Sequence, residues 1–245
     1  MKIRVIRSCS STNDELKKDL LNMKEGSPLP PALVADEQTA GRGRSGRTFS
    51  SPAGKGLYIS MPLALSSIED AMCIMPMTSV CVCKAIEELS GIPSQIKWPN
   101  DVLIDGKKVC GILTELINKD GKMFLVTGIG VNLLQDEEDY PRELREKAVS
   151  LKQVSGKNID PETFAAVLTS GFDDMIKALP QGKADYLEYY RSHCTLTGRK
   201  INVFFAEGSE PVKAEAIEIT EDFRLLVKWE DGGRELLNTG EVSVR

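Results

Sequence analysis

Two Asp-Gly pairs, Asp105-Gly106 and Asp120-Gly121, constrain this chain's fold more than any other local feature. They punctuate the runs "DVLID", "KKVCGILTELI" and "MFLVTGIGVN", with "SQIKWP" just before. Asp-Gly suits the tight hairpin turn, where both central residues need positive φ. Short β-rich runs joined in this way predict a meander of antiparallel strands.

The rest of the chain alternates helical and extended signals. "IRVIR" reads as a strand, and "SSTNDELKK" opens a helix. Ser11 or Thr12 can cap that helix, with Asp14 or Glu15 closing a capping box. "GSPLPP" is a break, "ALVADE" a short strand, and "KGLYISMPL" an alternating strand. Ser67 with Asp70 offers a second cap, and residues 71–90 carry helical periodicity up to Gly91. Pro76 sits early in that helix, where proline is tolerable. Asp160-Pro161 supplies an N-cap followed by proline at the first helical position, predicting helices over about 161–179 and 183–193. After "TLTGRK" the character changes. Five short strand-like runs fill 200–245, with turns at Glu207-Gly208, Glu221-Asp222 and Asp231-Gly232, a spacing that fits a small β-barrel. The expected division is a domain over 1–195 and a second over 196–245.

Bulk properties exclude several classes. The 245 residues allow one large domain or a large domain with a small one. With 41% apolar residues, a core can form without staples. No apolar run reaches the roughly 18 residues of a membrane helix, and the N-terminus lacks the apolar region of a signal peptide. The expectation is a cytoplasmic protein with no membrane partner. Six cysteines include no CxxC pair, which suggests reduced thiols. Cys81 and Cys83 fall in a helical pattern and do not share a face. The lone His193 has few candidate partners for a catalytic triad. An excess of 36 acidic over 31 basic side chains argues against a general nucleic-acid binder.

Against that acidic background one loop is purely cationic. "GRGRSGRTFSSPAGKG", Gly41 to Gly56, holds five glycines with Arg42, Arg44, Arg47 and Lys55, and no carboxylate occurs from Gln38 to Ile68. Glycines let backbone N–H groups approach an anion, and arginines grip carboxylate or phosphate oxygens. A solvated loop that binds nothing is the plainer alternative. The pattern is not a Walker A motif, since "GKG" lacks the following Ser/Thr. Gly41, Gly43 and Gly46 fit GxGxxG, but a strand rather than a helix follows them. A second constellation gathers Lys97, Asn100, Asp101, Lys107 and Lys108 around a hairpin, where one of the adjacent lysines faces opposite to the other. A third, "TGIGVN", sets two glycines and Asn132 at a strand end, permitting close approach of a ligand. An exposed hairpin and a simple turn are the plain readings of these two.

In chain order, "SSTN", "EQTAGRGRSGRTFSSP", "KWPNDVLIDGKKVCGIL" and "GIGVN" resemble the catalytic domain of biotin protein ligases. The resemblance is strong from about residue 8 to 134, weak over 140–195 and moderate beyond. It implies an α+β fold: a mixed sheet with flanking helices, like class II aminoacyl-tRNA synthetases, plus a C-terminal SH3-like barrel. It implies ATP and biotin as substrates with Mg²⁺, and a biotinyl-5′-AMP intermediate. The acceptor would be a lysine of a biotin carboxyl carrier domain.

The resemblance also implies residue roles. Ser11, Thr12, Asn13 and Gln38 match the ring end of the biotin site. Arg42, Gly43 and Arg44 match the loop holding biotin and the adenylate phosphate. Lys108, three before Gly111, matches the lysine that meets the carboxylate and phosphate. Lys97 and Asn100 are expected beside the phosphates. Asp101 is expected to bind metal or orient the acceptor lysine. Asn132 matches an adenosine contact, and Phe49 stands where many members carry a tryptophan against adenine. Cys110 replaces a small aliphatic residue and is expected to be inert.

The chemistry explains the cationic loop. Two unit charges 4 Å apart repel by about 4 kcal/mol at an effective dielectric near 20, and a carboxylate must meet a triphosphate. A lipoate–protein ligase would share the fold but lacks this loop, carrying "RRxSGGG" instead. A nucleic-acid-binding adaptor could use the loop and barrel as contact surfaces. Edge strands could pair with the carrier or with a second copy to form a homodimer. "SSTN" begins at residue 10, where longer relatives carry a DNA-binding domain, so the expectation is no DNA partner. In a gel-shift titration with operator-type duplexes, biotin and ATP should induce no sequence-specific complex; a biotin-dependent shift would overturn that expectation.

Overall fold

The computed structural model describes residues 1–179, 182–205, 210–238 and 241–244. Strand β1 (Ile3–Cys9), helix α1 (Thr12–Asn22) and β2 (Ala32–Gln38) come first, followed by β3 (Gly56–Leu65) and helix α2 (Ile68–Ser90). The meander is β4 (Gln95–Lys97), β5 (Asp101–Ile104), β6 (Lys107–Lys119) and β7 (Lys122–Asn132). Helices α3 (Leu151–Ser155), α4 (Pro161–Ala178) and α5 (Lys183–His193) follow. The chain ends in β8 (Lys200–Phe204), β9 (Val212–Ile219), β10 (Leu225–Trp229), β11 (Arg234–Leu237) and β12 (Glu241–Val244).

Seven strands form one mixed sheet in the order β1-β2-β3-β7-β6-β5-β4. Only β1 and β2 pair parallel, with α1 as their crossover. The remaining pairs are antiparallel. The expected turns close β5–β6 and β6–β7: Asp105 and Gly106 have φ of 49° and 77°, and Asp120 and Gly121 have 50° and 75°. Both central residues are therefore left-handed, as a two-residue hairpin requires.

Alternation sorts the sheet's two faces. Leu57, Ile59 and Met61 of β3, with Leu125, Ile129 and Val131 of β7, enter the main core beneath α2, α4 and α5. The intervening residues point the other way. There Phe124, Val126 and Ile117 meet Leu16 and Leu20 of α1, with Met23 packed against them, forming a small second cluster. One short helix thus covers part of this face. Beside its N-terminal end the sheet carries Ser60, Gly111, Gly128 and Gly130, a platform of small residues.

Helix α2 starts at Ile68, earlier than the periodicity suggested, with Ser67 accepting the Asp70 N–H as its cap. Pro76 therefore lies about two turns inside it rather than at its start. The first turns are partly solvent-exposed, as Ile68 and Met72 show, so the carbonyl left unpaired by proline can meet water. The expected capping box on α1 is absent: Ser11 is the N-cap but makes no side-chain cap bond. Asp14 pairs with Lys17 and Arg42, and Glu15 with Lys18, so neither carboxylate turns back to the helix start. Asp160 caps α4 as expected.

The last five strands form an antiparallel sheet in the order β11-β10-β9-β8-β12, consistent with an SH3-like unit. The turns at Glu221-Asp222 and Asp231-Gly232 fall between strands, while the one expected at Glu207-Gly208 lies outside the described residues. Apolar packing continues across the join near residue 196: Leu196, Ile201, Val203 and Phe223 belong to the main core. Trp98 Nε1 donates to the Phe223 carbonyl at 3.1 Å, and Arg191 Nε to the Ile219 carbonyl at 2.7 Å. Tyr190 meets Phe223 edge-on, with ring centroids 5.5 Å apart. The second sheet thus braces the segment that carries Lys97, Asn100 and Asp101. Among the described residues, no helix is long and apolar enough to cross a membrane. Trp98→Phe removes the buried hydrogen bond and should cost about 1–3 kcal/mol, read as a melting temperature lowered by roughly 2–12 °C; an unchanged melt would mean this brace contributes nothing.

Candidate functional site

The glycine-rich cationic loop has a hydrogen-bonded ladder of its own. Phe49 N–H donates to the Gly41 carbonyl at 2.8 Å, Arg42 bridges Thr48, and Gly43 N–H donates to the Arg47 carbonyl at 2.7 Å. Its tip is a pair of left-handed residues, Ser45 and Gly46. The base is tied down twice, by Gln38 Nε2 donating to Ser51 Oγ (2.9 Å) and by the buried Tyr58 hydroxyl donating to the Pro52 carbonyl (3.0 Å). Burial raises the Tyr58 phenol's pKa, keeping it protonated as a donor.

This hairpin lies over the platform, and the glycines below it are needed for close approach. A side chain at Gly130 would strike the Phe49 ring, and one at Gly128 would strike the Asn13 amide. The ring end of the cleft is a buried polar chain. Thr12 N–H and Oγ1 both reach Gln38 Oε1, at 2.9 and 3.1 Å. Ser60 Oγ lies 2.7 Å from Thr12 Oγ1 and 2.5 Å from Asn13 Oδ1, so one hydroxyl proton has two acceptors in reach. Asn13 Nδ2 donates to the Leu113 carbonyl and to Glu115.

Lys108 reaches the cleft through a β-bulge. The register steps from Val102↔Cys110 to Leu103↔Lys108, which leaves Val109 as the extra residue. Strict alternation from Gly111 would have put Lys107 on the platform face. The extra residue reverses that: Val109 and Cys110 are both buried in the core, Lys107 is exposed, and Lys108 Nζ stands next to Gly111. The Lys108 backbone pairs with the 147–149 segment, donating to the Lys147 carbonyl at 2.7 Å and accepting from Val149 N–H at 3.0 Å. Its ammonium makes an ion pair with Asp101 Oδ1 at 2.6 Å, although that buried oxygen has no aligned hydrogen bond. Arg44 Nη1 donates to Asn100 Oδ1 at 2.9 Å, and Asn100 is held by Ile112 through donation to its carbonyl and acceptance from its N–H. Cys110 lies beneath the platform in the core, where burial pushes its thiol's pKa well up, in keeping with an inert residue.

Two cavities open here. The inner one, about 50 Å³, is lined by Ser11, Thr12, Asn13, Gln38 and Arg42 at one end. The outer one, about 630 Å³, includes Lys97, Asp101 and Asn132 in its wall. Gly43, Arg44, Phe49, Asn100 and Lys108 line both. Every residue the resemblance places at the substrates thus borders one cavity or the other, with Gly111 in the inner wall, whereas Lys55 and Lys107 line neither. Asn132 has a structural job as well. Its Nδ2 donates to the carbonyls of Lys108 and Val149, and its Oδ1 accepts from Gln135. Phe49 sits at the junction, over the glycine floor, rather than deep in the outer cavity. Among the described residues no group of three potential metal ligands occurs.

Sequence reasoning missed Ser60 and Glu115. Both could have been found by alternation: Ser60 is two from Tyr58 on β3, and Glu115 is four from Gly111 on β6. Glu115 receives Asn13 Nδ2 (2.8 Å), Lys17 Nζ (2.8 Å) and Arg42 Nη2 (2.9 and 3.0 Å). Partial burial raises its pKa, but the donors from Lys17 and Asn13 and the charges of Lys17 and Arg42 outweigh that, so the carboxyl lies below its ordinary 4.5. A depressed native pKa stabilises the fold above the unfolded value, and the contribution disappears as pH falls through the native value. Glu115→Gln should therefore lower the urea midpoint near pH 7, with the difference shrinking below pH 4.5; a pH-independent difference would contradict the assigned charge contacts.

A family model described as the biotin/lipoate A/B protein ligase family matches residues 5–132. The chain is 41% identical over 158 residues to a protein of Bacillus spizizenii named bifunctional ligase/repressor BirA, a match covering 64% of this chain and 47% of that one. The chain spans about half the length of this protein and of the Bacillus subtilis protein of the same name. It is 29% identical over 249 residues to the biotin–[acetyl-CoA-carboxylase] ligase of Mycobacterium tuberculosis, covering 97% of this chain and 87% of that one. Among solved structures, the Aquifex aeolicus biotin protein ligase in complex with biotin and ATP superimposes with a TM-score of 0.82 at 30% identity, covering 100% of this chain and 98% of that one.

Proposed function

The chain belongs to the biotin/lipoate A/B protein ligase family, and we propose that it is an ATP-dependent biotin–protein ligase. In the first step the biotin carboxylate attacks the α-phosphate of ATP, forming biotinyl-5′-AMP and releasing pyrophosphate. In the second, a lysine of a biotin carboxyl carrier domain, such as that of acetyl-CoA carboxylase, attacks the activated carbonyl and releases AMP. The observation that carries this reading is the wall shared by the two cavities. An acid whose ring occupies the inner cavity presents its carboxylate where Arg44 and Lys108 also face the outer cavity.

Each residue then has a physical role. Lys108 and Arg44 offset the repulsion between carboxylate and phosphates and stabilise charge developing on the transferred phosphorus. Asn100 fixes the Arg44 guanidinium. The polar chain Thr12–Gln38–Ser60–Asn13 supplies donors and acceptors suited to a ureido group. Phe49 offers a ring face at the junction, and Lys97 a further cation toward the phosphates. Closure of the cleft over bound substrate would shield the mixed anhydride from water.

The donor set fits a magnesium ion brought in with the nucleotide, because Mg²⁺ takes one or two carboxylates with phosphates and water. Asp101, whose buried Oδ1 has no aligned hydrogen bond, is the residue that would hold it. The ion would supply charge neutralisation at the phosphates. Asp101 is also our candidate for orienting the incoming acceptor amine.

Exchange of labelled pyrophosphate into ATP tests the reading. Biotin should drive exchange while lipoate and octanoate should not; exchange that responds to lipoate, or to no acid at all, would refute it. Lys108→Ala should slow biotin-driven exchange by about 10²-fold or more, as loss of a charge-stabilising donor does elsewhere. An unaltered rate would remove Lys108 from the chemistry.

A further inference from the structure

Glu115 sits where the ring end of the inner cavity meets the cationic hairpin, and its carboxylate touches both. From one side Asn13 Nδ2 donates to its Oε2 at 2.8 Å. From the other, Arg42 Nη2 lies 2.9 Å from Oε2 and 3.0 Å from Oε1. Lys17 Nζ completes its shell at 2.8 Å, and Asp14 Oδ1 shares both cations, at 2.6 Å from Arg42 and 2.9 Å from Lys17. Two carboxylates and two cations thus balance at the rim.

We infer that Glu115 is a positioning residue that sets the Asn13 amide and anchors the hairpin through Arg42. The first half follows from hydrogen-bond sense. An ionised carboxylate only accepts, and so does the Leu113 carbonyl 3.2 Å from Asn13 Nδ2. If the amide turned over, its oxygen would face both acceptors. Glu115 therefore keeps Asn13 Oδ1 toward Ser60 and the cavity, as an acceptor for a ring N–H. The second half follows from charge and connectivity. Arg42 bridges Thr48 within the hairpin, so fixing its guanidinium to β6 fixes the hairpin over the platform. One side chain couples recognition of the ring to the position of the loop. This inference rests on the biotin-ligase reading for its substrate, but its two contacts can be tested without it.

The experiment compares the native chain with Glu115→Ala and Glu115→Gln. In pyrophosphate exchange, Glu115→Ala should raise KM for biotin about tenfold, as loss of a partly buried charged acceptor does, while KM for ATP rises by no more than about twofold. Glu115→Gln keeps an acceptor for Asn13 and should raise KM for biotin by only about threefold. In the ligand-free proteins, both variants should be cut faster by trypsin at Arg42, Arg44 and Arg47, mapped by mass spectrometry. An unchanged KM for biotin, or an equal rise in KM for ATP, would overturn the first half. Unchanged cleavage would overturn the second. If Glu115→Ala does not fold, Glu115→Gln carries both readouts, and native behaviour in both would overturn the inference. If the native chain shows no biotin-dependent exchange, the substrate reading fails, while the cleavage comparison still decides the Arg42 anchor.

Discussion

Positive charge held rigidly at a junction is the constraint on which the rest of this structure depends. A cation free in a loop would spread its charge through water and lose most of its effect at a few ångströms. Here three cations of the cleft have fixed partners: Lys108 has Asp101, Arg44 has Asn100, and Arg42 has Glu115 and Asp14. The partners come from β5, the turn before it, β6 and α1, all parts of the sheet or packed on it. The overall acidity of the chain is consistent with this arrangement, since acidic groups near the cleft hold these cations in place.

The sheet makes such holding feasible because its faces are unequal. One face is buried under three helices and sets the strand register through its apolar alternation. The other is covered only in part, by α1, and its small residues leave room for a substrate and for the Phe49 ring. The second sheet braces the Trp98 segment from behind. The cleft is therefore a gap left in an otherwise buried surface, with stiff walls on the sheet side and a hairpin on the other.

Much of this was legible in the residues. The Asp-Gly pairs placed the β5–β6 and β6–β7 turns, and Asp160-Pro161 placed the start of α4. The candidate residues gathered around one cleft because the motif resemblance ordered them correctly along the chain. What stayed hidden depended on tertiary contact. Capping at Ser11 failed because Asp14 had a stronger partner in Arg42, a residue distant in sequence. The bulge at Val109 reverses the faces of Lys107 and Lys108, and alternation alone would have chosen the wrong lysine. The order within the glycine-rich loop was invisible too, because its ladder forms between residues that have no strand pattern.

The most direct measurement is single-turnover formation of biotinyl-5′-AMP, followed by rapid quench, in the variant carrying both Arg44→Gln and Lys108→Gln. Both substitutions retain a polar, hydrogen-bonding side chain while removing charge from the wall shared by the two cavities. With native folding verified by circular dichroism, the rate should fall by about 10³-fold or more. A rate within about twofold of the native chain would contradict the claim that fixed cations let the two anionic substrates meet.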